Sequence, residues 1–133
     1  MRIEKVTTEG TEIYIVDYSD CKENEMIDLV KEVGRRLISN GRQACILSIY
    51  NEKSYVTGKF MRQVEKETRE ALPLIKKQAI TGLNDTKKMI LKGYNFLFRK
   101  NIRAFNTKEE AFKFLTDEST TDSSDFWDPV AKL

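Results

Sequence analysis

None of the 133 residues is histidine, which removes Ser-His-Asp and Cys-His constellations, imidazole general bases and most zinc sites. The two cysteines, Cys21 and Cys45, stand far apart with no Cys-x-x-Cys neighbour, so a thiolate-rich metal site is also out. Cys45 falls in an apolar run and reads as a small buried hydrophobe. Gly58-Lys59 hints at a phosphate loop, but no glycine stands five residues before Gly58 and Phe60 replaces the required hydroxyl residue. The six glycines contain no GxGxxG. Glu65, Glu67 and Glu70 alternate with Lys66 and Arg69, the pattern of a solvated helix face. Chemistry by carboxylates and lysine alone stays open, yet no spacing nominates a site. The expectation is a protein without catalytic residues, cofactor or metal, one that works by binding.

Charge gives a second kind of signal. The net charge of +2 conceals an uneven distribution. From Lys76 to Arg103 there are eight basic residues against Asp85 alone. After Phe114 come Asp117, Glu118, Asp122, Asp125 and Asp128 against Lys132. A basic stretch followed by an acidic one suggests electrostatic docking. The first twelve residues carry acids and no apolar core, unlike a secretory signal, and no run approaches the ~20 apolar residues of a membrane span. With free cysteines, this leads to the expectation of a cytoplasmic location.

Those residues must be held by secondary structure. Thr11–Tyr18 alternates, with Ile13 and Ile15 on one face and Tyr14, Val16 and Tyr18 on the other, after a short strand Arg2–Thr8 and a Glu9-Gly10 turn. Met26, Ile27, Val30, Val33, Leu37 and Ile38 recur at helical spacing, with Asn24 as the expected cap and Asn40-Gly41 as the stop. Ala44–Tyr50 is almost continuously apolar, as a central strand covered on both sides would be. Thr57 starts a second helix with Phe60, Met61, Val64, Thr68, Ala71 and Leu72 inward, ended by Pro73. Gln78–Leu83 reads as a strand, Asp85 to Arg99 as a third helix, and Ile102–Phe105 as a last strand. Thr107-x-x-Glu110 is a capping box for a closing helix through Ala111, Phe112 and Leu115. The order β-β-α-β-α-β-α-β-α predicts an α/β fold, a mostly parallel or mixed sheet with packed helices. It occupies 1–117, and 118–133 reads as an acidic, flexible tail.

This order, with three stretches, resembles the STAS domain of sulfate transporters and anti-sigma-factor antagonists, above all its small stand-alone members grouped with CRAL-TRIO-like lipid-binding domains. The stretches are Val16-Asp17-Tyr18-Ser19-Asp20-Cys21, then Lys77-Gln78-Ala79-Ile80-Thr81-Gly82-Leu83 with Lys87-Lys88, and Arg99-Lys100-Asn101-Ile102 through Phe105-Asn106-Thr107-Lys108-Glu109-Glu110-Ala111. The resemblance covers residues 2–117 and implies a non-enzymatic regulatory module that binds partner proteins. In antagonists of that family a Ser or Thr opening the helix after the central strand is phosphorylated, usually within Asp-Ser-x-Gly. Here that place reads Ser54-Tyr55-Val56-Thr57-Gly58, so the resemblance offers Thr57 as a phosphorylation switch while the Asp-Ser pair is missing. Thr57 serves equally well as a plain N-cap.

The third helix is the most informative element. Lys88, Lys92, Asn95 and Arg99 form one narrow polar stripe, and the rest of the wheel is apolar: Met89, Ile90, Leu91, Gly93, Tyr94, Phe96, Leu97 and Phe98. That apolar arc is about twice the width a helix on a sheet needs. The surplus is either covered by neighbours or forms an interface for a protein partner or a second copy. The alternative is a peripheral lipid-binding domain that lays the basic, aromatic helix on an anionic membrane. Nucleic acid is the weaker partner, since no recognition motif or stacking platform stands out. In the tail, Asp125-Phe126-Trp127-Asp128-Pro129 reads as a short docking segment, as a segment that folds back on the basic helix, or equally as a packed extension without regulatory meaning; the candidate interface is Lys88, Lys92, Phe96, Arg99 and Trp127.

Overall fold

The computed structural model describes residues 2–117. Strands β1 (Ile3–Thr8) and β2 (Thr11–Asp17) form an antiparallel hairpin. Its two-residue turn, Glu9-Gly10, has φ of 49° and 79°, the left-handed pair that matches strand twist. Helix α1 (Glu23–Asn40), strand β3 (Ala44–Ile49), helix α2 (Gly58–Thr68), strand β4 (Ile75–Thr81), helix α3 (Asp85–Phe98), strand β5 (Ile102–Phe105) and helix α4 (Lys108–Thr116) follow. The sheet order is β1-β2-β3-β4-β5, and all pairs after the hairpin are parallel. The expected α/β element order is therefore observed, on a five-stranded mixed sheet.

Strand alternation divides the core in two. Tyr14, Val16, Ala44, Ile46, Ile80 and Ile102 pack under α1, α2 and α3. Ile13, Cys45, Leu47 and Ala79 face the other way and are covered by Ala111, Phe114 and Leu115 of α4. Every side chain from Ala44 to Leu47 is buried, which explains the unbroken apolar run. Gly34 brings α1 close to α2, since a Cβ there would lie 3.9 Å from the Glu67 carbonyl.

Several boundaries differ from the sequence reading. Asn24 is not the cap of α1. The helix starts from Lys22, whose N–H donates to the Glu25 carboxylate at 3.0 Å, so an acid inside the first turn does the capping. Gly41 ends α1 as expected, left-handed at φ 70°. Helix α2 tightens into 3-10 turns over Arg69–Leu74, taking Pro73 inside them. Strand β4 begins at Ile75, three residues before the expected Gln78, because Lys77 is an inward strand residue and only 1% exposed. Its Nζ donates to the carbonyls of Phe114 (2.9 Å) and Asp117 (2.5 Å), tying the end of α4 to the sheet. Among the described residues no helix is long and apolar enough to cross a membrane.

Candidate docking face on helix α3

Helix α3 begins at Asn84, whose side chain accepts from the Lys87 N–H at 2.8 Å. Its inward residues are Leu91, Tyr94 and Asn95, with Ile90 and Phe98 half-buried beside them. Tyr94 and Phe98 pack ring on ring, with centroids 5.1 Å apart. The outward side is unusual. Met89 is 73% exposed, Phe96 61% and Leu97 67%, an apolar ridge at i, i+7 and i+8. Gly93 lies on the same ridge, and among the described residues nothing stands within 4 Å of where its Cβ would be.

Two corrections follow. Asn95 does not belong to the polar stripe. It is 6% exposed, its amide donates to the Ile102 carbonyl at 3.0 Å, and its carbonyl accepts the Ile102 N–H at 3.2 Å. Asn95 thus mimics one more strand at the start of β5 and fixes how α3 sits on it. Arg99 does not extend the helix either. It is the C-cap, left-handed at φ 53°, and its N–H closes the helix onto the Asn95 carbonyl.

Cations of the same helix flank the ridge. Toward β5 lie Lys88, which reaches Asn106 at 3.4 Å, and the exposed Lys92 and Arg99. Toward α2, burial first and the Glu65 carboxylate second push the Tyr94 hydroxyl up, and Glu65 pairs with Arg69 at 2.7 Å. The Glu65 carboxyl is held below its ordinary value, first by the hydrogen bond from Arg69.

Thr57 is not part of this face. It caps α2 by accepting from the Phe60 N–H at 3.1 Å, and it sits half-buried at the opposite, carboxyl-terminal edge of the strands. That edge is where open α/β sheets usually take ligands. Here the polar side chains hold the loops together. Asp20 and Asn51 exchange two hydrogen bonds, at 3.0 and 2.9 Å. The buried Ser54 hydroxyl reaches the Tyr18 carbonyl at 2.8 Å. Lys87 Nζ donates to the carbonyls of Asn51 (3.3 Å), Glu52 (2.9 Å) and Ser54 (2.7 Å). Gly82, at φ 88°, passes so near the Tyr50 carbonyl oxygen that a Cβ would fall 1.8 Å from it. These atoms clamp the β3–α2 and β4–α3 loops shut over the strand ends.

Sequence reasoning missed Lys77, Lys87 and Asn95 as inward-working polar groups. Only Asn95 carried a legible sign, its place beside Leu91 and Tyr94 on the helical wheel. Both cysteines are free and buried, and no cluster of three metal-ligating side chains occurs among the described residues. Trp127 lies outside the described residues, as does the rest of the acidic segment. No family model, curated protein or solved structure matches the chain.

Proposed function

We propose that this chain is a STAS-like, non-catalytic regulatory module that docks a protein partner on the outward face of α3. The observation that carries this reading is the ridge of Met89, Phe96 and Leu97, exposed on α3 beside the exposed cations Lys92 and Arg99 of the same helix. Apolar centre and charged rim are the anatomy of a protein interface. The rim also selects the partner. A second copy in symmetric contact would bring cations against cations, which costs several kcal/mol (roughly) when like charges are juxtaposed. The complementary surface is apolar with carboxylates at its edges. Gly93 favours protein over lipid. A glycine within a helix costs about 1 kcal/mol relative to alanine, and no neighbour among the described residues requires it. A lipid surface moulds around a methyl group, whereas a backbone crossing the helix closely needs its absence. Phosphorylation at Thr57 is not part of the proposal, because the Asp-Ser pair of the family's switch is missing from Ser54-Tyr55-Val56-Thr57-Gly58.

The test uses the full chain in its native cells with a photo-crosslinking side chain introduced at Leu97, and a control at the exposed Lys113 of α4. A discrete protein adduct from position 97 and none from 113, lost when Lys92→Glu and Arg99→Glu are combined, supports the reading. No adduct at 97 sinks it. Flotation with anionic vesicles that is abolished by the same charge reversal, without a protein adduct, replaces the protein partner with a membrane surface.

A further inference from the structure

We infer that the core layer beneath α1 and α2 holds a binding site for a small neutral molecule with a hydrogen-bonding end and an apolar body, a short-chain alcohol or primary amide, gripped by Ser48, Gln78 and the hydroxyls of Tyr18 and Tyr50. The site is separate from the outward face of α3 and does not rest on the docking reading.

The sheet supplies the first argument. Ser48 of β3 and Gln78 of β4 lie on inner strands and face the helices α1, α2 and α3, on the same side as Ile46 and Ile80. Ser48 pairs with Ile80 and Gln78 with Ile46, so the two polar residues are diagonal neighbours among isoleucines. Inner positions covered by helices are ordinarily apolar. Both residues are only half-buried, whereas Ile46 and Ile80 beside them are closed off. A cavity of about 50 Å³ accounts for the difference, roofed by Val33 of α1 and by Met61 and Val64 of α2.

The polar atoms supply the second. Tyr18 and Tyr50 line the same cavity, are 5% and 8% exposed, and pack their rings with centroids 5.1 Å apart. Among the described residues, none of the four polar side chains has a hydrogen-bond partner. Thr68 also lines the cavity but is satisfied, since its hydroxyl donates to the Val64 carbonyl at 2.8 Å. A hydroxyl or amide that leaves water without a replacement destabilises the fold. Four of them around one cavity therefore call for an occupant that returns their bonds. Burial, the leading cause, pushes both tyrosine hydroxyls above their ordinary value, so each stays protonated and able to donate. Ser48 and Gln78 can donate and accept.

Size and charge set the class of ligand. A water-sized group needs about 10–15 Å³, so the cavity of about 50 Å³ takes roughly three to five of them. No charged side chain lines it among the described residues, and an ion would stand unpaired against apolar walls. Water fits, yet it gains nothing from Val33, Met61 and the isoleucines. A neutral solute of that size covers those walls with its carbons and still bonds Ser48 and Gln78 through its polar end.

Methyl NMR of the full chain, titrated with propionamide, n-propanol and sodium propionate, reads the site directly. Both neutral probes should shift the methyls of Ile46, Met61 and Ile80 saturably, with a Kd on the order of millimolar, and propionate should not. Ser48→Ala combined with Gln78→Met should weaken propionamide by about fivefold for each hydrogen bond lost, while Lys113→Glu leaves it unchanged. Tyr50→Phe deletes one hydroxyl and nothing else, so it serves if a thermal melt shows the double variant unfolded, and it should weaken binding by about fivefold. Shifts that fail to saturate, or that propionate reproduces, overturn the inference, because the cavity then selects no neutral solute. Full affinity in the folded variants overturns it as well, since the bonds would lie elsewhere.

Discussion

Replacing Gly93 with alanine separates what α3 contributes to the fold from what it is kept for. Gly93 is well inside the helix, four residues after Met89 and four before Leu97. Glycine there forfeits about 1 kcal/mol relative to alanine, through the extra backbone freedom it loses on folding. The added methyl meets nothing within 4 Å, so no steric term offsets that gain. Gly93→Ala should therefore raise stability by about 1 kcal/mol, which for a domain of this size raises Tm by roughly 3–6 °C. Urea denaturation should show a higher midpoint with an unchanged slope, since no surface is newly buried or exposed. The same methyl rises from the ridge where a partner backbone is proposed to cross, so the protein adduct from position 97 should fall as stability rises. An unchanged or lower midpoint would mean that the space above Gly93 is filled by something that the fold itself requires. A higher midpoint with an undiminished adduct from position 97 would refute the close crossing.

Gly82→Ala should be among the most damaging single changes, because φ of 88° and a Cβ 1.8 Å from the Tyr50 carbonyl force the strand-end loops apart. A loss of about 3 kcal/mol or more in urea denaturation is expected, and a loss below ~1 kcal/mol would contradict the clamp. Lys77→Met keeps the length of the side chain but leaves the Phe114 and Asp117 carbonyls without their Nζ donor. Stability should drop by about 2–3 kcal/mol, with hydrogen exchange accelerating in α4 before α1; uniform acceleration would argue against a local tie. Glu12 is drawn from 4.5 to about 2 by hydrogen bonds from Arg42 and Lys5. Because the folded value is the lower one, its contribution is complete above pH 4.5 and disappears as pH falls toward about 2. Acid titration of stability should be shallower in Glu12→Gln over that window, and parallel curves would show that the pairing is lost in solution.

The elements were legible wherever one physical demand dominated a segment. The apolar run from Ala44 marked the strand enclosed on both faces, and the surplus arc of α3, which the pattern left as either covered or an interface, is exposed at Met89, Phe96 and Leu97 among the described residues. Legibility failed where a polar side chain works inward. Lys76 and Lys77 interrupt the apolar pattern and so hid the first three residues of β4. Asn95 seemed to complete a stripe with Lys92 and Arg99 because a wheel assigns direction but cannot tell which flank meets β5. Lys87 is sequentially one of two adjacent lysines; only the loop that folds back over its ammonium group distinguishes it from Lys88. Such residues answer to distant backbone carbonyls, and pattern along the chain does not contain those distances.

The strand order has a consequence for how the chain assembles. Each strand pairs with the one before it, so every crossover adds to an existing edge and nothing must thread between strands already joined. Synthesis from the amino terminus can lay down the sheet in register as it emerges, starting from a hairpin that needs no later residue. The exception is the face formed by Ile13, Cys45, Leu47 and Ala79, whose cover is α4. That surface stays wet until nearly the last turn of helix leaves the ribosome. Completion of the fold is thereby deferred to the same few residues that Lys77 fastens down, and a chain cut short before Phe114 would carry an intact sheet with one side open.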